Sequence, residues 1–134
     1  MIIHRIVGGL AMLAIATTPA LAESPNWTEA KHAEIDLSNH ACSPAELHLH
    51  HGVAYVLHFA NMASESQGFS APEFFLAADV APDDRAKIVA GGVNLDGGQD
   101  VDVKLVTRMS GTFNARCARF MHAMPDMIGK IVID

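Results

Sequence analysis

The sequence predicts an all-β domain, an antiparallel Greek-key β-sandwich with one short helix. Side chains alternate between core-facing and outward positions along several short runs, which is the period of a strand that buries one face. Turn-forming residues separate these runs at short intervals, as in a sandwich of about 110 residues. Only the segment 72–78 has a helical period, and it is long enough for one or two turns.

The predicted strands follow one another along the chain. The first covers 46–50 and stops before Gly52, and the second is the alternating run 53–60. A third covers 101–105, and the last is the apolar end at 131–133. Turns are expected between them at 39–44, 60–68, 82–84, 91–92 and 96–98.

The first residues have the pattern of a secretory signal peptide. A short basic start and an apolar run over 6–16 lead to the A-x-A sequence at Ala20-Leu21-Ala22. The apolar run is too short to span a bilayer. We expect a signal peptide over 1–22, a loose leader over 23–32 and one domain over 33–134, exported to the periplasm with no membrane span after processing.

The charge balance and the motifs exclude several functions. The chain has 15 acidic against 9 basic residues, a net charge of −6, which gives no electrostatic footprint for nucleic acid. It lacks the G-x-S-x-G, H-E-x-x-H and phosphate-loop patterns of hydrolases and nucleotide-binding enzymes. The sequence therefore predicts a protein that is not an enzyme.

A cysteine, a histidine and a methionine are evenly spaced before the last strand. Cys117, His122 and Met127 form a C-x4-H-x4-M pattern that the sequence places on one loop. Thiolate, imidazole and thioether are three of the donors of a blue-copper site, which uses two His, one Cys and a weak axial Met. Alternatively, Cys117 is buried or disulfide-bonded, His122 is a surface residue and Met127 packs in the core.

Four segments carry a family resemblance, over about 43–133. They are 43–47 with the following Gly52, 56–61, 69–75, and 116–133 with the Cys-x4-His-x4-Met spacing of rusticyanin. On these segments the chain resembles the cupredoxin-like copper-binding family of plastocyanin and azurin. The resemblance implies that fold, a copper cofactor, and Cys117, His122 and Met127 as metal ligands.

The resemblance also places Gln67 where many relatives have their first histidine ligand. An amide oxygen is a harder and weaker donor than imidazole for Cu(I), so Gln67 is only a further candidate ligand. The alternatives are another histidine in that role, a metal bound in a different way, or a vestigial site. The candidate histidines are His32, His40, His48, His50, His51 and His58. Each has an ordinary surface or strand role as its simpler interpretation. Met121 and Met124 are either extra Cu(I) donors or an apolar rim.

Two cysteines in an exported chain form a disulfide with each other by default. A Cys42–Cys117 disulfide would conflict with the copper interpretation of Cys117. A thiolate bound to copper cannot also be part of a disulfide. Because its surroundings in the sequence are patterned for a metal, Cys117 is expected to be a free thiol in the metal-free protein.

Three functions follow from these patterns. The first is electron transfer through a type 1-like or variant copper site. The second is Cu(I) carriage without redox turnover. The third is a metal-free interaction domain linked by Cys42 and Cys117. The first two imply a redox or copper-transfer protein as partner.

Overall fold

Two five-stranded sheets make up the fold in the described part of the chain. The computed structural model describes residues 11–18, 24–39, 41–119 and 128–134. The strands are β1 (Lys31–Leu37), β2 (Cys42–Ser43), β3 (Glu46–Leu49), β4 (Ala54–Asn61), β5 (Gln67–Ser70), β6 (Ala78–Val80), β7 (Gly92–Leu95), β8 (Asp100–Thr107), β9 (Gly111–Arg119) and β10 (Ile128–Ile133). One helix, α1 (Pro72–Ala77), and two 3-10 helices, Trp27–Glu29 and Pro82–Lys87, lie between strands or before them.

The chain crosses repeatedly between the two sheets. Sheet A has the strand order β2-β1-β4-β8-β6, and sheet B has the order β3-β10-β9-β5-β7. Neighbouring strands are antiparallel except for β1 with β4 and β3 with β10, which are parallel. Long connections that return a strand to its own sheet are typical of Greek-key sandwiches. The predicted all-β sandwich with one short helix is confirmed.

The core lies between the sheets and is rich in aromatic rings. Leu57 and Phe59 of β4 are at most 1% exposed, as the alternating pattern predicts. Phe59 meets Phe69 of the facing sheet with ring centroids 5.1 Å apart. Pro72 begins α1 with its φ already fixed, and the helix buries Phe74 in the same cluster. Each buried aromatic contributes about 2–3 kcal/mol from removal of apolar area from water.

The predicted loop position of Cys117 is wrong. Cys117 lies within β9, whose inward side chains Phe113, Ala115 and Cys117 alternate with Asn114 and Arg116. Two flanking strands fix β9, because it pairs with both β5 and β10. The backbone of Cys117 is therefore held by a sheet rather than by a loop.

The start of β1 can be compared with the predicted division into signal peptide, leader and domain. β1 begins at Lys31, directly after the 3-10 helix Trp27–Glu29 and Ala30. Over the described residues, no helix combines the length and apolar character needed to cross a bilayer. The division into 1–22, 23–32 and 33–134 stays a prediction.

Candidate metal centre

A disulfide joins the two sheets at the candidate site. Cys42 of β2 in sheet A is bonded to Cys117 of β9 in sheet B, with Cα atoms 6.0 Å apart. That separation lies within the usual range for a bridge. Cys117 is 1% exposed, whereas Cys42 is partly exposed on a two-residue edge strand. The sulfur that the sequence assigns to a metal is thus bonded to a second sulfur.

The expectation of a free thiol at Cys117 is therefore wrong. The register explains the pairing, because β2 pairs Cys42 with Leu37 at the end of β1 and so places it over the inward face of β9. The spacing of Cys117, His122 and Met127 holds no information about this approach from the other sheet. The signal that was available is the default pairing of two cysteines in an exported chain.

Gln67 lies on the strand next to Cys117. In the β5–β9 register, Phe69 is opposite Cys117 and Gln67 is opposite Arg119, so Gln67 and Cys117 are diagonal neighbours on one face. Gln67 is 2% exposed, and its Nε2 donates to Oδ1 of Asn39 at 3.3 Å. Its amide is thus buried, and Asn39 is a partner that the sequence did not indicate.

Asn61 fixes the segment that leads into Gln67. The Asn61 side chain is buried, and its Nδ2 donates to the carbonyl oxygens of Glu65, Leu95 and Asp96 at 2.8, 3.2 and 2.9 Å. Its Oδ1 accepts from the backbone N–H of Ala63 at 2.9 Å. One amide thereby satisfies four backbone groups and holds 62–66 against the turn after β7.

The described donors do not form a type 1 copper site in this state. A type 1 site needs a thiolate and two imidazoles, but Cys117 is in a disulfide and Gln67 offers an amide. Among the described residues, no three His, Cys, Asp or Glu side chains cluster closely enough to hold a metal ion. His122, Met127, Met121 and Met124 lie outside the described residues. So does His40, one of the candidate substitutes. The fit to copper therefore depends on reduction of the disulfide.

Three candidate histidines lie at the opposite end of the sandwich. β3 and β10 run parallel and end at Leu49 and Ile133, whereas Gln67 is level with the other end of β9. His48 contacts Glu46 at 2.8 Å, His50 contacts Asp134 at 2.7 Å, and both are mostly exposed. Nε2 of His51 lies 2.9 Å from the carbonyl oxygen of Arg108. Each ring has a local partner and lies far along the sheet from Gln67, so these histidines are not placed to act with Gln67 and Cys117.

His58 and His32 lie on the outer face of sheet A. His58 Nδ1 is 2.6 Å from Oδ1 of Asp102, and its Nε2 is 3.5 Å from Oδ2 of Asp100. The hydrogen bond to Asp102 raises the pKa of His58, partial burial opposes this, and the charges of Asp102, Asp100 and Glu34 raise it further. His32 is exposed on β1. Neither ring faces the core, where Gln67 and Cys117 lie.

Comparison with known structures supports the fold. Auracyanin A, a "blue" copper protein from Chloroflexus aurantiacus, is 16% identical with a TM-score of 0.55, over 77% of this chain and 98% of that chain. Auracyanin B is 18% identical with a TM-score of 0.54, over 85% of this chain and 93% of that chain. A chain of a heme-copper terminal oxidase dimer is 12% identical with a TM-score of 0.56, over 90% of this chain and 76% of that chain. At these identities the likeness shows the fold alone.

Sequence comparison identifies the family. Among curated proteins, none is significantly similar to the chain. The family model described as cupredoxin-like domain matches residues 9–133, which is most of the chain. The two-sheet architecture, the short helix and this match agree, and the chain belongs to the cupredoxin-like domain family.

Proposed function

We propose that this chain is an exported copper-binding protein that takes up and passes on Cu(I) once its disulfide is reduced. The Cys42–Cys117 bond carries the proposal, because it makes the availability of the central sulfur donor depend on redox state. Cys117, His122 and Met127 are the proposed ligands, with Met121 and Met124 as additional sulfur donors. Sulfur ligands favour Cu(I).

Electron transfer through a type 1-like or variant copper site is the less favoured form of the proposal. Such a carrier needs a permanently bound thiolate and two imidazoles. Two buried side chains on one face, Cys117 and Gln67, both depart from that requirement. Gln67 remains a candidate donor, although its amide is a weak one for copper.

The chain's own residues supply a rigid and largely dry setting. Ladders to β5 and β10 hold β9, and apolar side chains such as Phe69 surround Cys117. When bound, Cu(I) would be a soft ion that the protein could exchange with a redox or copper-transfer protein. The net charge of −6 favours a basic docking surface on that partner.

A metal-free interaction domain is the second candidate, and the same disulfide favours it. A bridge between the two sheets stabilises the sandwich without any ion. Under this alternative Cys117 is structural in every state of the protein.

Metal titration of the reduced protein under anaerobic conditions separates these functions. Tight, colourless Cu(I) binding against a chromophoric chelator is expected for the carrier. An intense thiolate-to-copper band after addition of Cu(II) would instead support the electron carrier. If neither ion binds, the metal-free alternative holds and the proposal is wrong.

A further inference from the structure

The environment of the disulfide suggests a role for Cys42 beyond stabilisation. A small cavity of about 10 Å³ lies beside Cys42, at the lower limit of the volume that a single water molecule needs. Ile35, Leu47, Phe69 and Ile131 make its lining largely apolar. Lys130 also borders it, but Lys130 is exposed and alternates with the buried Gly129 and Ile131 on β10.

We infer that Cys42 and Cys117, when reduced, are two thiolate ligands of one Cu(I) ion, and that their disulfide is the closed state of this site. The inference rests on the proposed function and adds to it a ligand from the other sheet. Cα atoms 6.0 Å apart allow both sulfurs to reach a common ion. Thiolates are the ligands that Cu(I) prefers, and none of the side chains that line the adjacent cavity has an oxygen atom.

Backbone pairing within each sheet holds the two cysteines independently of the bond between them. Pairing with Leu37 holds Cys42, and pairing with Phe69 holds Cys117. Both pairings are made by backbone groups, so they do not depend on the sulfur–sulfur bond. Opening the bond therefore leaves the two thiols facing each other across the sandwich.

The opening step is thiol–disulfide exchange with a reduced dithiol protein or small dithiol. Its thiolate attacks Sγ of Cys42, the more exposed of the two cysteines, and the Cys42–Cys117 bond breaks with Cys117 leaving as a thiolate. The second thiol of the reductant then resolves the mixed disulfide and frees Cys42. Two electrons pass to the protein, two protons yield two thiols, and the reductant ends as a disulfide. Both protons are released again when the thiols bind the metal.

Competition for Cu(I) with a chromophoric chelator tests the inference on three forms of the mature chain. We expect one tightly bound Cu(I) per reduced chain, and at least tenfold weaker binding by the oxidised chain and by reduced Cys42→Ser. If Cys42→Ser binds as tightly as the reduced wild type, the inference is overturned while the proposed function stands. If the reduced wild type binds no Cu(I), both are overturned.

Alkylation of the unmutated protein covers the case in which Cys42→Ser does not fold. Reduced protein is treated with iodoacetamide with and without one equivalent of Cu(I), and each cysteine peptide is quantified by mass spectrometry. We expect Cu(I) to slow modification of Cys42 at least tenfold. An unchanged rate at Cys42 in protein that has bound Cu(I) would overturn the inference.

Discussion

The two ends of sheet B differ in how they use their polar residues. At the end of sheet B where β3 and β10 finish, His48, His50 and His51 lie at the surface, and each contacts a nearby carboxylate or carbonyl. At the Gln67 end, in the part of the chain that the structure describes, the amide of Gln67 is buried and donates to Asn39, which follows β1. A dense run of histidines in the sequence is therefore weaker evidence for a metal site than two buried residues on neighbouring strands, such as Gln67 on β5 and Cys117 on β9.

Loss of the disulfide is expected to have the largest effect. The bond closes a loop of 75 residues, and the entropy model assigns about 4.5 kcal/mol to such a closure. We expect the double variant Cys42→Ser/Cys117→Ser to lose about that much free energy of unfolding in urea. The control at the other end of the sheet, His50→Ala, should lose less than about 0.5 kcal/mol because its contact is exposed. Equal losses in the two proteins would remove the contrast between the ends.

Removal of the Asn61 amide is expected to have the next largest effect. Asn61→Ala leaves three carbonyl oxygens and one N–H without their side-chain partner. We expect the free energy of unfolding in urea to fall by about 3 kcal/mol. Each unsatisfied buried group costs about 1–3 kcal/mol, and some of the freed backbone groups form hydrogen bonds with water instead. Asn94→Ala, an exposed asparagine on β7, is the matched control and should be nearly neutral. A loss below about 1 kcal/mol for Asn61→Ala would contradict the role given to this amide.

Sequence periodicity predicted the strands that bury one clean apolar face, and it failed where polar residues share a strand. β4 and β8 alternate strongly, and α1 has a short helical period, so all three were predicted. β9 has the sequence GTFNARCAR. Its two arginines and one asparagine leave no clear apolar alternation in the sequence, so the inward positions of Phe113, Ala115 and Cys117 were not recognised.

The candidate site was predictable only in part. Spacing and resemblance selected Cys117 and Gln67, which do lie on adjacent strands facing the core. The contacts with Cys42 and Asn39 arise from pairing between segments far apart in the chain. A spacing motif holds no information on such pairing. The metal-binding roles of His122 and Met127 stay predictions.

Replacement of Gln67 by histidine sharpens the same contrast through metal affinity. Gln67→His places an imidazole at the position where the sequence resemblance predicts a ligand, and imidazole is the better copper donor. In reduced protein we expect copper binding to strengthen about tenfold, which corresponds to about 1.4 kcal/mol. Chelator competition and the visible spectrum measure it, with His48→Gln as a control that should leave affinity unchanged. Unchanged affinity in Gln67→His would mean that position 67 is not close to the metal.

A small, pH-dependent effect is expected on the outer face of sheet A. Because Asp102 raises the pKa of His58, the pair stabilises the protein fully below the ordinary histidine pKa, and this is lost as pH rises through the raised pKa. Asp102→Asn should therefore cost up to about 1 kcal/mol near pH 5.5 and less near pH 9, as for an exposed pair. In a His58→Ala background the cost should no longer vary with pH. A cost that grows toward pH 9 would have the wrong sign.

Thiol counting in the unfolded, unreduced and metal-free protein is the most direct test of the cysteine pairing on which the proposed function depends. We expect no reactive thiol before reduction and two after it, because both cysteines of the chain are paired with each other. A thiol-specific chromogenic reagent in denaturant gives the count, and non-reducing peptide mapping identifies the linked pair. Two free thiols without reduction would show that Cys117 is not held by Cys42, and a redox-controlled site would then be excluded.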